Sequence, residues 1–150
     1  MEPFINWRDE WLLGIDALDD QHKVLSDGIN QLVQACHQYT GSESEDKQQL
    51  RTVLGELMDG LYRNTRDHFR FEEAMMKKAA YPGYASHVYE HAMLLAELKS
   101  TFSGRLESDS CYMDPEILKA LKSWFIGHVS HSDREFATYV TAGKIARAVD

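Results

Sequence analysis

The residues best suited to chemistry in this 150-residue chain are its histidines, of which there are seven. His68 and Glu72 are four positions apart, and His87 and His91 repeat that spacing. Because side chains four apart on a helix lie one above the other, the members of each pair can reach the same metal ion. Imidazole and carboxylate ligands together suit iron, copper, nickel or zinc better than magnesium or calcium.

The elements that must position these pairs are predicted to be four helices. Apolar residues recur with helical spacing over residues 18–36, 54–76, 84–102 and 117–128. Tyr81-Pro82-Gly83 interrupts this pattern, and 41–46 is predicted to be a polar linker. A loop is expected over 104–115, with Asp114-Pro115 at the start of the last helix. With no strand-like alternation, the short connections predict an all-α, up-down-up-down four-helix bundle.

The chain is expected to form a single domain with an arm and a tail attached to the bundle. The domain covers 1–150, with an N-terminal arm at 1–15, the bundle at 16–136 and a C-terminal tail at 137–150. The arm carries Phe4, Trp7 and Trp11, and so much aromatic surface is expected to pack on the bundle. The tail is weakly amphipathic, and its shape stays open.

The polar candidates occupy positions that the apolar spacing assigns to the core. These positions hold His22, His68, Glu72, His87, His91 and His128. A buried imidazole or charge is costly unless it is paired or bound to a metal. A lone core histidine is usually just hydrogen-bonded, but six such residues on four helices indicate a metal site inside the bundle. Since a tetrahedral zinc needs only four ligands, the larger donor set favours two ions.

Asp133 follows His128 by five residues, a step that leaves the two side chains on different faces of a regular helix. A straight helix would favour His131 or Ser132 at that face. If Asp133 is also a ligand, the helix must end or widen into a π-bulge between them. His131 is assigned no function, and neither is His37, which solvent and the helix dipole explain.

The composition excludes several classes of protein. The net charge of −8 argues against nucleic acid or an anionic membrane as a partner. No apolar run approaches the ~20 residues of a membrane span, and the N-terminus lacks the features of a secretory signal. The two cysteines, Cys36 and Cys111, form no CxxC or CxxCH motif. This usage fits a reducing compartment and predicts a cytoplasmic protein.

In this order the motifs resemble the hemerythrin family, in particular its single-domain bacterial members. The matching stretches are Gly14-Ile15-Asp16 through Gln21-His22, His68-Phe69-Arg70-Phe71-Glu72-Glu73, His87-Val88-Tyr89-Glu90-His91, and Trp124 through His128 to Asp133. The resemblance runs from Trp7 to about Phe136. It implies two non-haem iron ions that bind O2 reversibly, for oxygen transport, storage or delivery, or for sensing.

The resemblance also implies a role for each candidate ligand. Three histidines are implied for one iron, namely His87, His91 and His128. Two are implied for the other iron, which keeps an open position for O2, namely His22 and His68. Two carboxylates are implied to bridge the ions together with a solvent-derived oxygen, namely Glu72 and Asp133.

Two positions depart from the residues usual in the family. Phe125 stands where a leucine is common, and this position helps to line the O2 pocket. The pocket volume and the rate of oxidation are therefore expected to depend on Phe125. Phe136 stands where a tyrosine often follows the bridging aspartate.

Three other functions fit parts of the pattern. Ferritin-like di-iron oxidases or peroxidases share the bundle, but they use Glu-x-x-His motifs, and no histidine here follows a glutamate by three. The stretch His87-Val88-Tyr89-Glu90-His91 matches the H-x-x-E-H zinc peptidase pattern but leaves the other candidates unexplained. A plain interaction module would bury all these groups without a metal. We therefore expect a monomeric oxygen-binding protein, not an enzyme, with an oxygen-consuming enzyme among the candidate recipients of its O2.

Overall fold

The chain folds into an all-α four-helix bundle. The computed structural model describes residues 3–40, 44–103 and 115–149, and within these ranges the regular secondary structure is entirely helical. The helices are α1 (Asp16–Thr40), α2 (Ser44–Lys78), α3 (Tyr84–Glu97), α4 (Pro115–His128) and α5 (Arg134–Val149). A single 3-10 turn, Asp9–Trp11, lies in the N-terminal arm. None of the described helices has the length and apolar character needed to cross a membrane.

Two helices continue into wider turns. Leu98–Ser103 extends α3 as a π-helix, and Val129–Asp133 joins α4 to α5 in the same conformation. The second segment confirms that the helix widens between His128 and Asp133. Because α5 continues it directly, the C-terminal tail is helical as far as Val149.

One connection between helices agrees with the prediction from the sequence, and another differs from it. After α2, Ala80 adopts a positive φ of 53°, and the Tyr81 amide donates to the Met76 carbonyl, so the helix ends just before Tyr81-Pro82-Gly83 as predicted. The polar linker predicted over 41–46 is wrong for Ser44 to Asp46, which are helical. Polar residues are common in linkers and in the first turns of helices alike, so the polar composition did not separate the two. The predicted 104–115 loop, including Asp114 and Cys111, lies outside the described residues up to 114.

The apolar core is divided into two clusters along the bundle. The larger includes Leu25 and Ile29 of α1 and Leu61 of α2. The smaller includes Leu18 of α1 and Met76 of α2. On α1 and α2, residues 22, 68 and 72 therefore lie between the two clusters, which places the polar candidates in a layer with apolar packing on both sides.

The N-terminal arm packs on the bundle as expected. Ile5 is buried, and its backbone exchanges two hydrogen bonds with the Asn30 side chain, at 2.6 and 2.9 Å. At the end of the arm, the backbone amides of Leu13 and Gly14 donate hydrogen bonds to the buried Asp19 carboxylate of α1. Gly14 has a φ of +83°, a conformation that favours glycine. The arm is therefore tied to α1 at two points.

Candidate metal centre

Seven buried side chains, supplied by four separate stretches of the chain, meet at one place inside the bundle. His22 comes from α1, His68 and Glu72 from α2, His87 and His91 from α3, and His128 and Asp133 from the ends of α4 and the π-helical segment. They form two groups whose potential ligand atoms lie within 4.8 Å of one another. One group contains Glu72, His87, His91, His128 and Asp133, and the other contains His22, His68, Glu72 and Asp133. All seven sequence-predicted residues are therefore brought together.

Each carboxylate belongs to both groups and divides its two oxygens between them. Asp133 Oδ1 lies 3.0 Å from His87 Nε2 and 2.9 Å from His128 Nε2, whereas Oδ2 lies 3.0 Å from His22 Nε2. Glu72 Oε1 lies 2.6 Å from His87 Nε2, whereas Oε2 lies 3.6 Å from His68 Nε2. This division is the arrangement that two carboxylates need to bridge a pair of metal ions.

Two imidazole nitrogens at the centre lie so close together that a proton or a metal ion is needed between them. His91 Nε2 and His128 Nε2 are 3.1 Å apart. Their Nδ1 atoms contact Glu73 and Glu90, both at 2.8 Å. An Nδ1 that donates to a carboxylate leaves the Nε2 lone pair of a neutral imidazole pointing inward. Two lone pairs so close repel unless a proton or a metal ion lies between them.

Several buried polar atoms of the cluster also lack hydrogen bonds within the described part of the chain. They are both ring nitrogens of His22, Nε2 of His68, both oxygens of Glu72 and Oδ2 of Asp133. Buried polar atoms normally have partners, because an unsatisfied one costs about 1–3 kcal/mol. The ligand-type atoms and their burial therefore fit a metal site, and all but one of these atoms face the centre that the two groups share.

The carboxylates raise the pKa of the imidazoles nearest to them. Burial by itself lowers the pKa of His87, but the hydrogen bond to Asp133 and the Glu72 carboxylate 2.6 Å away outweigh it and raise the value to about 9. Burial likewise lowers the pKa of His128, but the negative charge of Asp133 and the hydrogen bond to it raise the value to about 10. The cluster thus attracts positive charge, which a bound cation also supplies.

The pKa of His68 moves the other way. Burial is the largest cause and the neighbouring His22 the next, and the pKa of His68 is lowered to about 3. The nearest oxygen of Glu72 is 3.6 Å from His68 Nε2, too far to offset the loss of water. His68 therefore stays neutral over the ordinary pH range, the state in which an imidazole binds a metal.

Three polar residues at the edge of the cluster were not predicted from the sequence. Gln21 Oε1 lies 2.6 Å from His68 Nδ1, and Glu73 and Glu90 contact the Nδ1 atoms of His91 and His128. Each contact joins two different helices, so helical spacing within one segment gives no sign of it. Histidine ligands usually donate their outer nitrogen to such a partner.

The position of Glu90 contradicts the zinc peptidase pattern. In that pattern the glutamate between the histidines activates water at the metal. Here Glu90 is half-buried at the edge, where it accepts hydrogen bonds from His128 Nδ1 and the Ser132 hydroxyl. The hydrogen bond from His128 lowers the pKa of Glu90 to about 2, so this carboxylate is a poor proton acceptor. Glu90 is better suited to orient His128.

Apolar side chains close the site toward the centre of the bundle. The Phe69 ring stacks on His91, with centroids 3.8 Å apart. A cavity of about 10 Å³ lies beside His22 and His68, and Phe125 lines it, as the resemblance implied for this position. Such a volume is about that of one water molecule. Trp7 of the arm lies close to two of the lining residues, with its ring centroid 6.5 Å from those of His22 and Phe125.

The other residues singled out in the sequence lie apart from the centre. His37 and His131 are exposed. Cys36 is buried in the larger apolar cluster, and Phe136 is buried in the smaller one. None of these four is among the potential ligands found within the described residues.

Comparison with known proteins identifies the family. The family model described as the hemerythrin HHE cation binding domain matches residues 13–140. The chain belongs to the hemerythrin family. The match spans every helix that supplies one of the seven residues, and those residues form two groups that could hold metal ions.

Individual relatives agree with this assignment. The chain is 28% identical over 136 residues to a bacteriohemerythrin of Stenotrophomonas maltophilia, covering 91% of this chain and 81% of that protein. It is also 28% identical to a bacteriohemerythrin of Methylococcus capsulatus, covering 89% and 93%. A myohemerythrin of Theromyzon tessulatum is 26% identical, with coverage of 90% and 92%.

The hemerythrin fold is confirmed by solved structures. A crystal structure of a leucine-to-alanine variant of hemerythrin superimposes with a TM-score of 0.72, covering 92% of this chain and 98% of that one. The sequences of the two are 21% identical, so the similarity concerns the fold. It confirms the all-α four-helix bundle predicted from the sequence.

Proposed function

We propose that this hemerythrin domain binds O2 reversibly at a pair of iron ions held by the seven clustered residues. The observation that carries the proposal is the division of each carboxylate between two groups of histidines. A site for one ion has no need of two carboxylates that each reach both sides. Iron, rather than another metal suited to these ligands, is inferred from membership of the hemerythrin family.

The proposed ligand sets follow the two groups. His87, His91 and His128 would hold one ion, His22 and His68 would hold the other, and Glu72 and Asp133 would bridge them. The ion held by His22 and His68, on the two-histidine side, would keep a coordination position open for O2. When bound, the iron pair would supply the electrons for reversible O2 binding.

The protein contributes positioning and the exclusion of water. Glu72 and Asp133 offset the charge of the cations within the apolar core, and the neutral imidazoles add none. The small cavity borders His22, His68 and His128, and the rest of its lining is mainly apolar, including Leu25 and Phe125. A dry pocket of this kind limits proton entry and irreversible oxidation of the metal.

The size of the cavity argues against an organic substrate bound at the site. A space of about 10 Å³ admits a very small molecule but no organic substrate. The proposed role is therefore oxygen transport, storage or delivery, with O2 sensing as the alternative role. We further propose that the protein acts as a monomer in the cytoplasm, where its sparse cysteine usage is expected, and passes O2 to an oxygen-consuming partner.

The proposal is tested by spectroscopy of iron-loaded protein. Metal-free protein is loaded anaerobically with ferrous iron, and O2 is then admitted and removed while the visible spectrum is recorded. We expect about two iron ions per chain and a charge-transfer band that appears with O2 and disappears without it. Irreversible oxidation with turnover of an added substrate would instead indicate an oxidase.

The variant H91A provides the matching control, because His91 belongs only to the three-histidine group. We expect this variant to lose the band and at least one iron ion per chain. An unchanged spectrum would exclude the assigned role of His91.

A further inference from the structure

The outer nitrogens of the clustered histidines have different partners on the two sides of the site. On the three-histidine side, His91 and His128 contact the carboxylates of Glu73 and Glu90, both at 2.8 Å. On the two-histidine side, His68 Nδ1 lies 2.6 Å from the amide oxygen of Gln21. The Nδ1 atom of His22 is buried without a hydrogen-bond partner among the described residues.

This contrast bears on how strongly each imidazole binds a metal ion. An imidazole that donates its outer proton to a carboxylate becomes a more basic ligand, because the hydrogen bond is charge-assisted. A neutral amide accepts the same proton with less effect. If His68 binds metal through Nε2, its Nδ1 must carry the proton, which fixes the Gln21 oxygen as the acceptor.

We infer that Gln21 is a positioning residue that orients His68 and sets the ion on the two-histidine side as the more weakly bound and more easily reduced of the pair. This inference rests on the proposed di-iron function. Two histidines would hold this ion, one with an amide partner and one whose outer nitrogen has no hydrogen bond among the described residues, whereas two carboxylate-assisted imidazoles would contribute to the other. The two-histidine side is therefore the one that fills last.

The location of Gln21 makes it suitable for substitution. It is half-buried on α1 and lines a surface groove of about 360 Å³ together with Asp20, Val24 and His68. A changed side chain at position 21 can therefore relax toward solvent without opening the apolar core. Gln21→Glu keeps the shape and supplies a carboxylate, and Gln21→Met keeps the length and removes the acceptor.

The test is titration of metal-free protein with Co2+, followed by the visible absorption of the ion, which requires no O2 chemistry. In wild-type protein we expect two ions to bind with unequal affinity. Gln21→Met should weaken the binding affinity for the second ion by about 10- to 100-fold, the range found when a histidine ligand loses such a partner. The affinity for the first ion should stay unchanged. Gln21→Glu should tighten the second ion and, in iron-loaded protein, shift its reduction potential negatively.

Two further variants separate the hydrogen bond from other effects. The pair D20N and Q21E in one chain retains the wild-type net charge, and the second ion should still bind more tightly than in wild-type protein. Glu73→Gln places an amide on the other side of the site and should weaken the first ion instead.

Each outcome supports or overturns a distinct statement. If wild-type protein binds one Co2+ ion or none, the proposed two-metal function is wrong. If it binds two but Gln21→Met and Gln21→Glu titrate as wild type does, the role of Gln21 is wrong and the two-metal site stands. A tightening by Gln21→Glu that disappears when D20N is added also overturns the inference, since net charge then explains it.

Discussion

At the scale of single residues, the centre is governed by the cost of burying charge. Glu72 and Asp133 are both fully buried, with 0% exposure, in the middle of a hydrophobic bundle. Carboxylates in such surroundings are stable only with a compensating positive charge. Without a metal that charge must come from protonated imidazoles, and with a metal the ions themselves provide it. Metal binding and proton binding therefore compete for the same oxygens.

This competition predicts the pH dependence of the metal-free protein. The pKa values of His87 and His128, about 9 and 10, lie above the ordinary 6.5, so the stability they contribute is complete below pH 6.5 and is lost as the pH rises to 10. The pKa of His68, about 3, lies below 6.5, so its burial costs stability as the pH falls from 6.5 toward 3.

We therefore expect the free energy of unfolding of metal-free protein to be greatest near pH 6.5. It is measured by urea denaturation at a series of pH values after chelation. A metal-loaded sample should depend less on pH between 6.5 and 10, because bound ions replace the protons. Stability that rises steadily from pH 6.5 to 10 in metal-free protein would contradict the assignment of His87 and His128 as proton carriers.

Phe125 offers a second test at this scale. Its side chain is 4% exposed and lines the small cavity beside His22 and His68. We expect Phe125→Leu to enlarge the cavity, to increase both O2 association and oxidation of the iron, and to destabilise the protein by roughly 1 kcal/mol. Stopped-flow absorption measures the rates, and Phe136→Leu, in the other apolar cluster, serves as a packing control that should leave them unchanged.

At the scale of helices, the π-helical segment decides whether the last carboxylate reaches the site. In an α-helix, residues four apart lie above one another, whereas the i to i+5 bonds of a π-helix bring residues five apart into that relation. Val129–Asp133 adopts the second form, and Asp133 Oδ1 comes within 2.9 Å of His128 Nε2. The need for such a bulge could be predicted from the sequence, because the five-residue step otherwise excludes Asp133.

This account predicts opposite results for two changes of chain length at the exposed His131. Deleting it leaves His128 and the aspartate four residues apart, which a regular α-helix can align, so we expect two metal ions per chain to be retained. Inserting one alanine after His131 places the aspartate six residues after His128 and turns its side chain away from the site. Metal analysis of the two purified variants gives the result, and equal loss in both would show that the face of the helix is not what matters.

The helices also show why part of the site was not predictable. Glu72 and the five clustered histidines were recognisable because polar residues at core positions are rare. Gln21, Glu73 and Glu90 are half-buried polar residues, which are common on helices, and their partners lie on neighbouring helices. Those pairings depend on interhelical distances that one segment does not encode. The helical start of α2 at Ser44 was missed for a simpler reason, since polar residues occur in linkers and first turns alike.

At the scale of the whole molecule, metal binding is expected to contribute to the stability of the bundle. Four separate stretches of chain supply the seven residues, so an ion bound among them crosslinks elements distant in sequence. Ligands that bind only the folded state stabilise it by about 4 kcal/mol when present at a thousand times their dissociation constant. The N-terminal arm is also joined to α5, because Arg134 Nη2 donates hydrogen bonds to the carbonyl oxygens of Glu10 and Leu12.

We expect removal of both ions by chelation to lower Tm by more than about 10 °C, given that 1 kcal/mol shifts Tm by about 2–4 °C in a chain of this size. Differential scanning calorimetry of loaded and chelated samples at pH 7 measures the difference. The variant H131A, which alters a histidine outside the cluster, should show the same shift as wild type. A shift below about 2 °C would mean that the ions contribute little to the folded state.

The most direct measurement is anomalous diffraction at the iron edge from crystals of anaerobically loaded protein. We predict two anomalous peaks within the buried cluster. One should lie among His87, His91 and His128, and the other beside His22 and His68, with Glu72 and Asp133 between them. A single peak, or peaks away from these side chains, would contradict the central claim that two ions share the two carboxylates.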